Sequence, residues 1–317
     1  MSVQAPSPNI DSVSRERSKR VTAHNRMVEK VAFALLGVVM LMVIVPIIWI
    51  FGYIFFHGIS RVNWAFLTQF TEAGARGGIF PAIVGTFYVM IGTIAIALPL
   101  GIAGAIYLTE YAGRSRLVRV IRLAIVNLAG VPSIVHGLFG LGFFVYFVGG
   151  GIDRYILHSM RPVWGQPCLL WGFCTLAVVI LPVIITATEE ALLSVPRSFR
   201  EGSLGLGATK WQTIRQVILP SALPGIMTGA ILGVGRAAGE TAPVMLTCAA
   251  SLKSNLPQGL NDQAMLLPYH LYFVVTQVEN PPLQLQAAIA LVLIAVVFTI
   301  NISAVVVRTR VRKLRKW

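Results

Sequence analysis

Apolar residues in this chain neither alternate nor mark one helix face. They come in long runs, at roughly 31–56, 82–108, 120–148, 169–188, 222–247 and 286–307. Each is about 20 residues or more, the length a helix needs to cross a ~30 Å hydrocarbon core. The pattern predicts six transmembrane helices in an all-α polytopic membrane protein. Ahead of the first run, residues 1–30 are Ser, Pro and charge without an apolar period, which predicts a disordered arm. The first run is too long for the apolar core of a cleaved signal peptide, and no small-x-small site follows it. The expected division is an arm at 1–30, a transmembrane domain at 31–307 and a basic tail at 308–317.

Composition agrees with the pattern. Apolar residues make up 56% of the 317 and charged residues 12%, and the mean hydropathy is +0.76. A soluble domain carries about twice that charge. The net charge of +14 fits either nucleic acid or membrane topology, and its distribution decides. The arm holds Arg15, Arg17, Lys19, Arg20, Arg26 and Lys30, and the tail holds Arg308, Arg310, Arg312, Lys313, Arg315 and Lys316. Arg114, Arg116, Arg119 and Arg122 cluster after the second run; Arg197, Arg200, Lys210 and Arg215 follow the fourth. The odd loops hold only Arg61, Arg76, Arg154, Arg161 and Lys253. By the positive-inside rule, both termini and the even loops are cytoplasmic, and 57–80, 149–168 and 248–285 lie outside. The excess charge is a topology signal and an attraction to anionic lipid, and no basic face interleaved with aromatics points to nucleic acid.

Enzyme signatures are missing. Cys168, Cys174 and Cys248 lack metal-ligand spacing and read as small apolar fillers, with a Cys168–Cys248 disulfide as the alternative. There is no phosphate-binding loop; "GLGATKW" at 205–211 lacks the spacing and the Gly-Lys pair. Neither H-E-x-x-H nor G-x-S-x-G occurs. Of five scattered histidines only His136 lies well inside a span, where it reads as a core histidine, with a pathway role as the alternative. The chain is therefore not expected to be an enzyme or to bind a metal or cofactor. Another polypeptide must supply the energy for any uphill movement.

The loop at 189–221 is long for a simple connection. Phe199, Leu204, Leu206, Trp211, Ile214 and Val217 alternate with charge, Gly205 and Gly207 interrupt the segment, and Pro220 ends it. This predicts two short helices with a glycine bend. They either dock a partner or lie on the membrane as amphipathic helices.

Glu201-Gly202-Ser203, then Gly207, then Val217-x-Leu219-Pro220 resembles the E-A-A-x-x-x-G-x₉-I-x-L-P loop of ABC importer permeases, with Gly and Ser for the two Ala and Val for Ile. The runs at 77–112, 130–144 and 235–247 resemble the permeases of phosphate-specific ABC importers. Gly239-Glu240-Thr241-Ala242-Pro243 is similar to their PstA type. The resemblance covers roughly residues 75–307. It implies a type I importer permease whose coupling residues are Glu201, Gly202, Ser203, Gly207, Ala208, Leu219 and Pro220. It also implies a heterodimer with a sister permease, two copies of a cytoplasmic ATPase that uses the ATP and Mg, and an extracytoplasmic phosphate-binding protein. The membrane is then the bacterial inner membrane.

Two charges lie inside the fifth run, Arg236 and Glu240, with no other charge within ten residues on either side. Arg236 lies 14 residues past Ala222, about 21 Å at 1.5 Å per residue, at or just beyond the bilayer middle. A charge there costs roughly 2.5–3.5 kcal/mol on insertion scales. Either the pair clasps the helix, or it serves an anion, for which a guanidinium fork is suited. The resemblance implies that Arg236, Glu240 and Thr241 line the phosphate path. The glycines at 225, 229, 233, 235 and 239 either let helices pack closely or leave room for substrate. The competing functions are a permease for sulfate or molybdate, and a membrane anchor for a phosphate-signalling ATPase. The aromatic loop at 248–285 meets either the outer membrane face or the binding protein.

Overall fold

The computed structural model describes residues 10–72, 76–113, 115–159, 161–253 and 255–314. Six of its helical stretches are long and apolar enough to cross a membrane: Val28–Gly58, Phe80–Tyr111, Ser133–Ile156, Leu169–Leu193, Lys210–Gly239 and Leu283–Arg310. The six-span reading holds.

The chain forms two units, 1–56 and 57–317. The first is built on helix α1 (Ile10–Gly58). Its backbone is already helical from Ile10, so the expected disordered arm is corrected over 10–30. Arg, Lys, Glu, Ala and Met fill most of residues 15–30. All are good helix formers, and a helix nucleated in the apolar run extends readily through them. Residues 1–9 of the expected arm, and 315–317 of the tail, lie outside the described residues.

In the second unit, α2 (Trp64–Thr68) is capped by the Asn63 side chain. Helix α3 (Phe80–Ile106) is prolonged by a π-helical turn, Tyr107–Tyr111. The third span differs from the expected 120–148. Residues Arg116–Ala129 form a separate amphipathic helix, α4, and the span begins with α5 (Ser133–Phe139) and continues in π-helical turns to Ile156. Gly130 caps α4, and Pro132 keeps Val131 out of the helical region, so the apolar run splits there. Val118, Ile121 and Ile125 of α4 face a core cluster with Leu108, Leu192 and Ile218. Asp153, near the end of the third span, orders the loop after it. Its carboxylate accepts from the N–H groups of Val163, Trp164 and Gly165 at 2.7–3.0 Å.

Helix α6 (Leu169–Leu193) is the hub. It is apolar on all sides, and 67% of its most apolar stretch is buried, against 33% for the second span. Helices α3 and α9 (Leu219–Gly239) pack along it. Between them in sequence lie α7 (Arg197–Gly205) and α8 (Lys210–Thr213). A β-carbon at Gly225 would stand 2.5 Å from Ala191 Cβ, and one at Gly229 2.6 Å from Ala187 Cβ. At Gly233 it would stand 3.2 Å from Ile184 Cγ1. Gly225, Gly229 and Gly233 therefore serve close helix packing on α6, whereas nothing lies within 4 Å of a β-carbon at Gly239. This antiparallel register runs on to place Arg236 level with the middle of α6.

Pro220 does not end the coupling segment as expected. The rod runs from Lys210 through a π-helical turn, Ile214–Ile218, directly into α9. The wider π turn accommodates a proline that has no N–H to give. The fifth span ends instead at Gly239, not at 247, and α10 (Ala242–Thr247) is a separate short helix. Pro243 explains the break, because in a continuous helix its ring would meet the Gly239 carbonyl. Helix α11 (Leu267–Gln277) packs on α3 and on α12 (Leu283–Leu314), and Leu267 and Val274 join a core with Ala288 and Ile289. Cys168, Cys174 and Cys248 are free thiols, two of them fully buried, so the disulfide alternative is not realised. His136 is buried, its Nδ1 facing the Pro132 carbonyl at 3.4 Å, while its Nε2 makes no hydrogen bond among the described residues.

Candidate substrate path and coupling surface

The two intramembrane charges sit at the break in the fifth span. Arg236 lies in the last turn of α9, where the helix's free carbonyls favour a cation. Glu240 has left the helix: as C-cap it is extended, with φ −74° and ψ 126°. Its N–H reaches only the Ala237 carbonyl, at 3.4 Å. The pair is therefore not the side-by-side contact of a continuous helix. It rests on one bond, from Arg236 Nε to Glu240 Oε1, at 3.4 Å. Among the described residues, Nη1 and Nη2 of Arg236 make no hydrogen bond. Glu240 is the more enclosed partner, with 14% of its side chain exposed against 32% for Arg236.

Glu240 also lines a cavity of about 10 Å³ with Thr86, Val89, Met90, Leu176 and Val244. That holds at most one water and is too small for an oxyanion. Thr241, the third residue expected here, forms the hinge itself. It is half-buried, and its carbonyl accepts from the N–H of Met245.

The residues expected to couple form a bend and a root. Glu201, Gly202 and Ser203 lie on α7, and Gly207 turns the chain with φ +84°, in the region that favours glycine. Ala208 N–H closes the turn on the Ser203 carbonyl at 3.2 Å. Thr209 caps α8 in a capping box with Gln212, and the Ser203 and Thr213 hydroxyls meet at 2.9 Å, joining the two limbs. At this bend Leu206 is 91% exposed, and Phe199, Leu204 and Trp211 are exposed around it. Glu201 is exposed and has no ion pair among the described residues. Leu219 and Pro220 are not at the bend. They lie half-buried at the foot of α9, where Leu219 packs on the cluster of Val118, Leu192 and Ile218.

Sequence reasoning missed the residues that tie this bend to the spans. Arg200 donates to Glu110 Oε1 and to the carbonyls of Leu192 and Val195. Arg122 does the same for α4, pairing with Glu189 at 3.2 Å and donating to the Leu108 carbonyl at 3.0 Å. Lys210 Nζ lies 4.7 Å above the Tyr111 ring. The available signal was acidic residues at the very ends of apolar runs, a place where a charge needs a partner.

Comparison with known proteins agrees with this architecture. Residues 97–313 match the family described as binding-protein-dependent transport system inner membrane component. The chain is 32% identical over 323 residues to the phosphate transport system permease protein PstA 1 of Mycobacterium tuberculosis (strain ATCC 25618 / H37Rv), covering 98% of this chain and 99% of that protein. It is 35% identical over 225 residues to the probable ABC transporter permease protein YqgI of Bacillus subtilis (strain 168), covering 71% of each. In fold it is similar to a chain of a bacterial ABC transporter involved in the import of the acidic polysaccharide alginate. The TM-score there is 0.64 at 14% identity, over 92% of this chain and 99% of that one.

Proposed function

The chain belongs to the family of binding-protein-dependent transport system inner membrane components, and we propose that within it this chain is the permease subunit of an ATP-driven importer of inorganic phosphate. The relatives that match it nearly end to end are named as phosphate permeases. The observation that carries the reading is the uncommitted fork of Arg236 at mid-membrane depth. An oxyanion that has left water needs donors, and the two terminal nitrogens of a guanidinium match two of its oxygens. Glu240 holds the third nitrogen, fixing the fork. It also keeps negative charge nearby, so the anion is not trapped, and the hinge at Thr241 lets the segment after the pair move separately from α9.

The energy comes from partners. In this proposal the chain pairs with a sister permease in the inner membrane, with both termini and the Gly207 bend in the cytoplasm. Two copies of an ATP-binding subunit use the ATP and Mg, and this chain binds neither. One of them seats the bend through Phe199, Leu204, Leu206 and Trp211, while an extracytoplasmic phosphate-binding protein delivers the substrate. Exposed apolar side chains around a positively charged bend support that assignment, as does the charge bias of the even loops.

Radiolabelled phosphate uptake by cells deprived of this chain, with sulfate uptake as the control, tests the substrate. Phosphate uptake should fail and return with the wild-type chain while sulfate uptake stays constant. Loss of sulfate uptake instead would make the chain a permease for another oxyanion.

A further inference from the structure

The sixth span, α12, carries one amide inside its apolar run, Asn301, in Ile300-Asn301-Ile302. Its hydroxyl neighbours are satisfied within the helix: Thr299 donates to the Ala295 carbonyl and Ser303 to the Thr299 carbonyl, both at 2.7 Å. Asn301 is half-buried, and among the described residues its side chain makes no hydrogen bond. An amide has two donors and an acceptor that lipid cannot satisfy, so a partner must come from elsewhere.

Its place narrows the choice. The amide lies against α9 at Gly235, the residue before Arg236. A β-carbon there would stand 3.0 Å from Oδ1 and 3.4 Å from Nδ2. Gly233, two residues earlier, faces Ile184 near the middle of α6, so the amide lies at the level of the α9 turn that carries Arg236. Asn301 is not required as glue between the helices. Ile300 and Val297 already pack α12 against Val234 and Ala238 of α9. A side chain without a hydrogen bond among the described residues, costly to insert and unneeded for packing, lies against the residue that precedes Arg236.

We propose that Asn301 is a second anion-contacting residue of the path, donating from Nδ2 to an oxygen of the oxyanion held by Arg236. This rests on the reading of Arg236 as a pathway residue. An oxyanion with four oxygens has more acceptors than one fork can serve, and a neutral amide adds a donor without adding charge. Binding is thereby completed without deepening the electrostatic well that must release the ion. Gly235 gives the amide this close seat, because a β-carbon there would make it give way by a few tenths of an ångström.

The test is phosphate uptake per inserted chain for Asn301→Asp, Asn301→Ala, Gly235→Ala and Arg236→Gln, each expressed as the sole copy and quantified in the membrane. Asn301→Asp keeps the shape and packing but replaces the donor with a charged acceptor. Asn301→Ala removes the amide and adds neither bulk nor charge, so it guards against a folding failure in the first. Uptake per chain should fall at least tenfold for both, and by a smaller factor for Gly235→Ala. Normal uptake per chain in Asn301→Ala, or a loss fully accounted for by less inserted protein, overturns the proposal. Arg236→Gln separates the two ideas. If it is inactive while Asn301→Ala transports normally, only the amide's role is lost. If Arg236→Gln itself transports normally, the pathway reading and this inference fall together.

Discussion

Arg200 on the helix before the Gly207 bend grips Glu110 at the end of the second span, with Nη2 3.1 Å from Oε1, across 90 positions of sequence. The same guanidinium bonds the carbonyls of Leu192 and Val195, where the fourth span ends. One side chain thus joins the bend to two membrane helices.

Glu110→Gln should therefore uncouple more than it destabilises. The ion pair is mostly enclosed, with 12% and 20% of the two side chains exposed, so losing its charge should cost about 1–3 kcal/mol. Arg200→Gln should cost more, because two carbonyls lose their donor as well. Thermal unfolding of the purified chains and uptake in cells check both. A double-mutant cycle that gives no coupling energy between the two positions would remove the latch.

Gly207 makes a backbone prediction. Its φ is +84°, and nothing lies within 4 Å of a β-carbon built on it. In the isolated chain Gly207→Ala and Gly207→Leu should destabilise alike, by about 1–2 kcal/mol, the cost of a left-handed L-residue. In cells they should separate. If the ATPase closes on the bend, leucine blocks it and abolishes uptake, while alanine retains part. Equal uptake by the two variants would show that no partner comes close at this position.

His270 gives the protein a pH dependence. It is buried, and desolvation pushes its pKa down from 6.5 to about 4. The unfolded chain therefore binds the proton first on acidification. Stability from the neutral, buried ring is complete above about pH 6.5 and is lost as the pH falls toward 4, to a total of about 3 kcal/mol. The melting temperature of detergent-solubilised protein should drop across that window, and His270→Gln should flatten the drop. An unchanged acid profile in His270→Gln would assign the loss to other groups.

The topology is tested by labelling single cysteines with an impermeant thiol reagent, in a background without Cys168, Cys174 and Cys248. Leu206→Cys, at the exposed bend, should stay unlabelled until the cytoplasmic face is opened. Gln258→Cys, on the exposed loop before α11, should react from outside. Labelling in the reverse order would invert the chain.

The six spans and the bend were legible because both are written in short-range pattern: apolar run length, and a glycine between two amphipathic segments. Where the reading of the span and loop ends failed, prolines decided. Pro132 split a run that hydropathy alone joined, and Pro243 ended the fifth span three residues after Arg236. Pro220, by contrast, was absorbed by a π turn. Which proline breaks a helix depends on hydrogen bonds four and five residues away, and composition does not show them. Glu110 with Arg200, and Asn301 with Gly235, stayed hidden for a plainer reason. Their partners lie on different helices, and only packing brings them together.

Arg236 and Glu240 remain the centre of the account, and one double variant tests it. Arg236→Gln and Glu240→Gln should each stop phosphate uptake. Leaving a buried charge unpaired costs about 3–5 kcal/mol, so each single variant confounds folding with function. Arg236→Gln/Glu240→Gln removes both charges and with them that penalty. The measurement is phosphate uptake by this double variant, normalised to the chain assembled in the membrane. Restored assembly without uptake is the result expected of a fork that handles the anion. Uptake restored together with assembly would make the pair a clasp for the broken helix and nothing more.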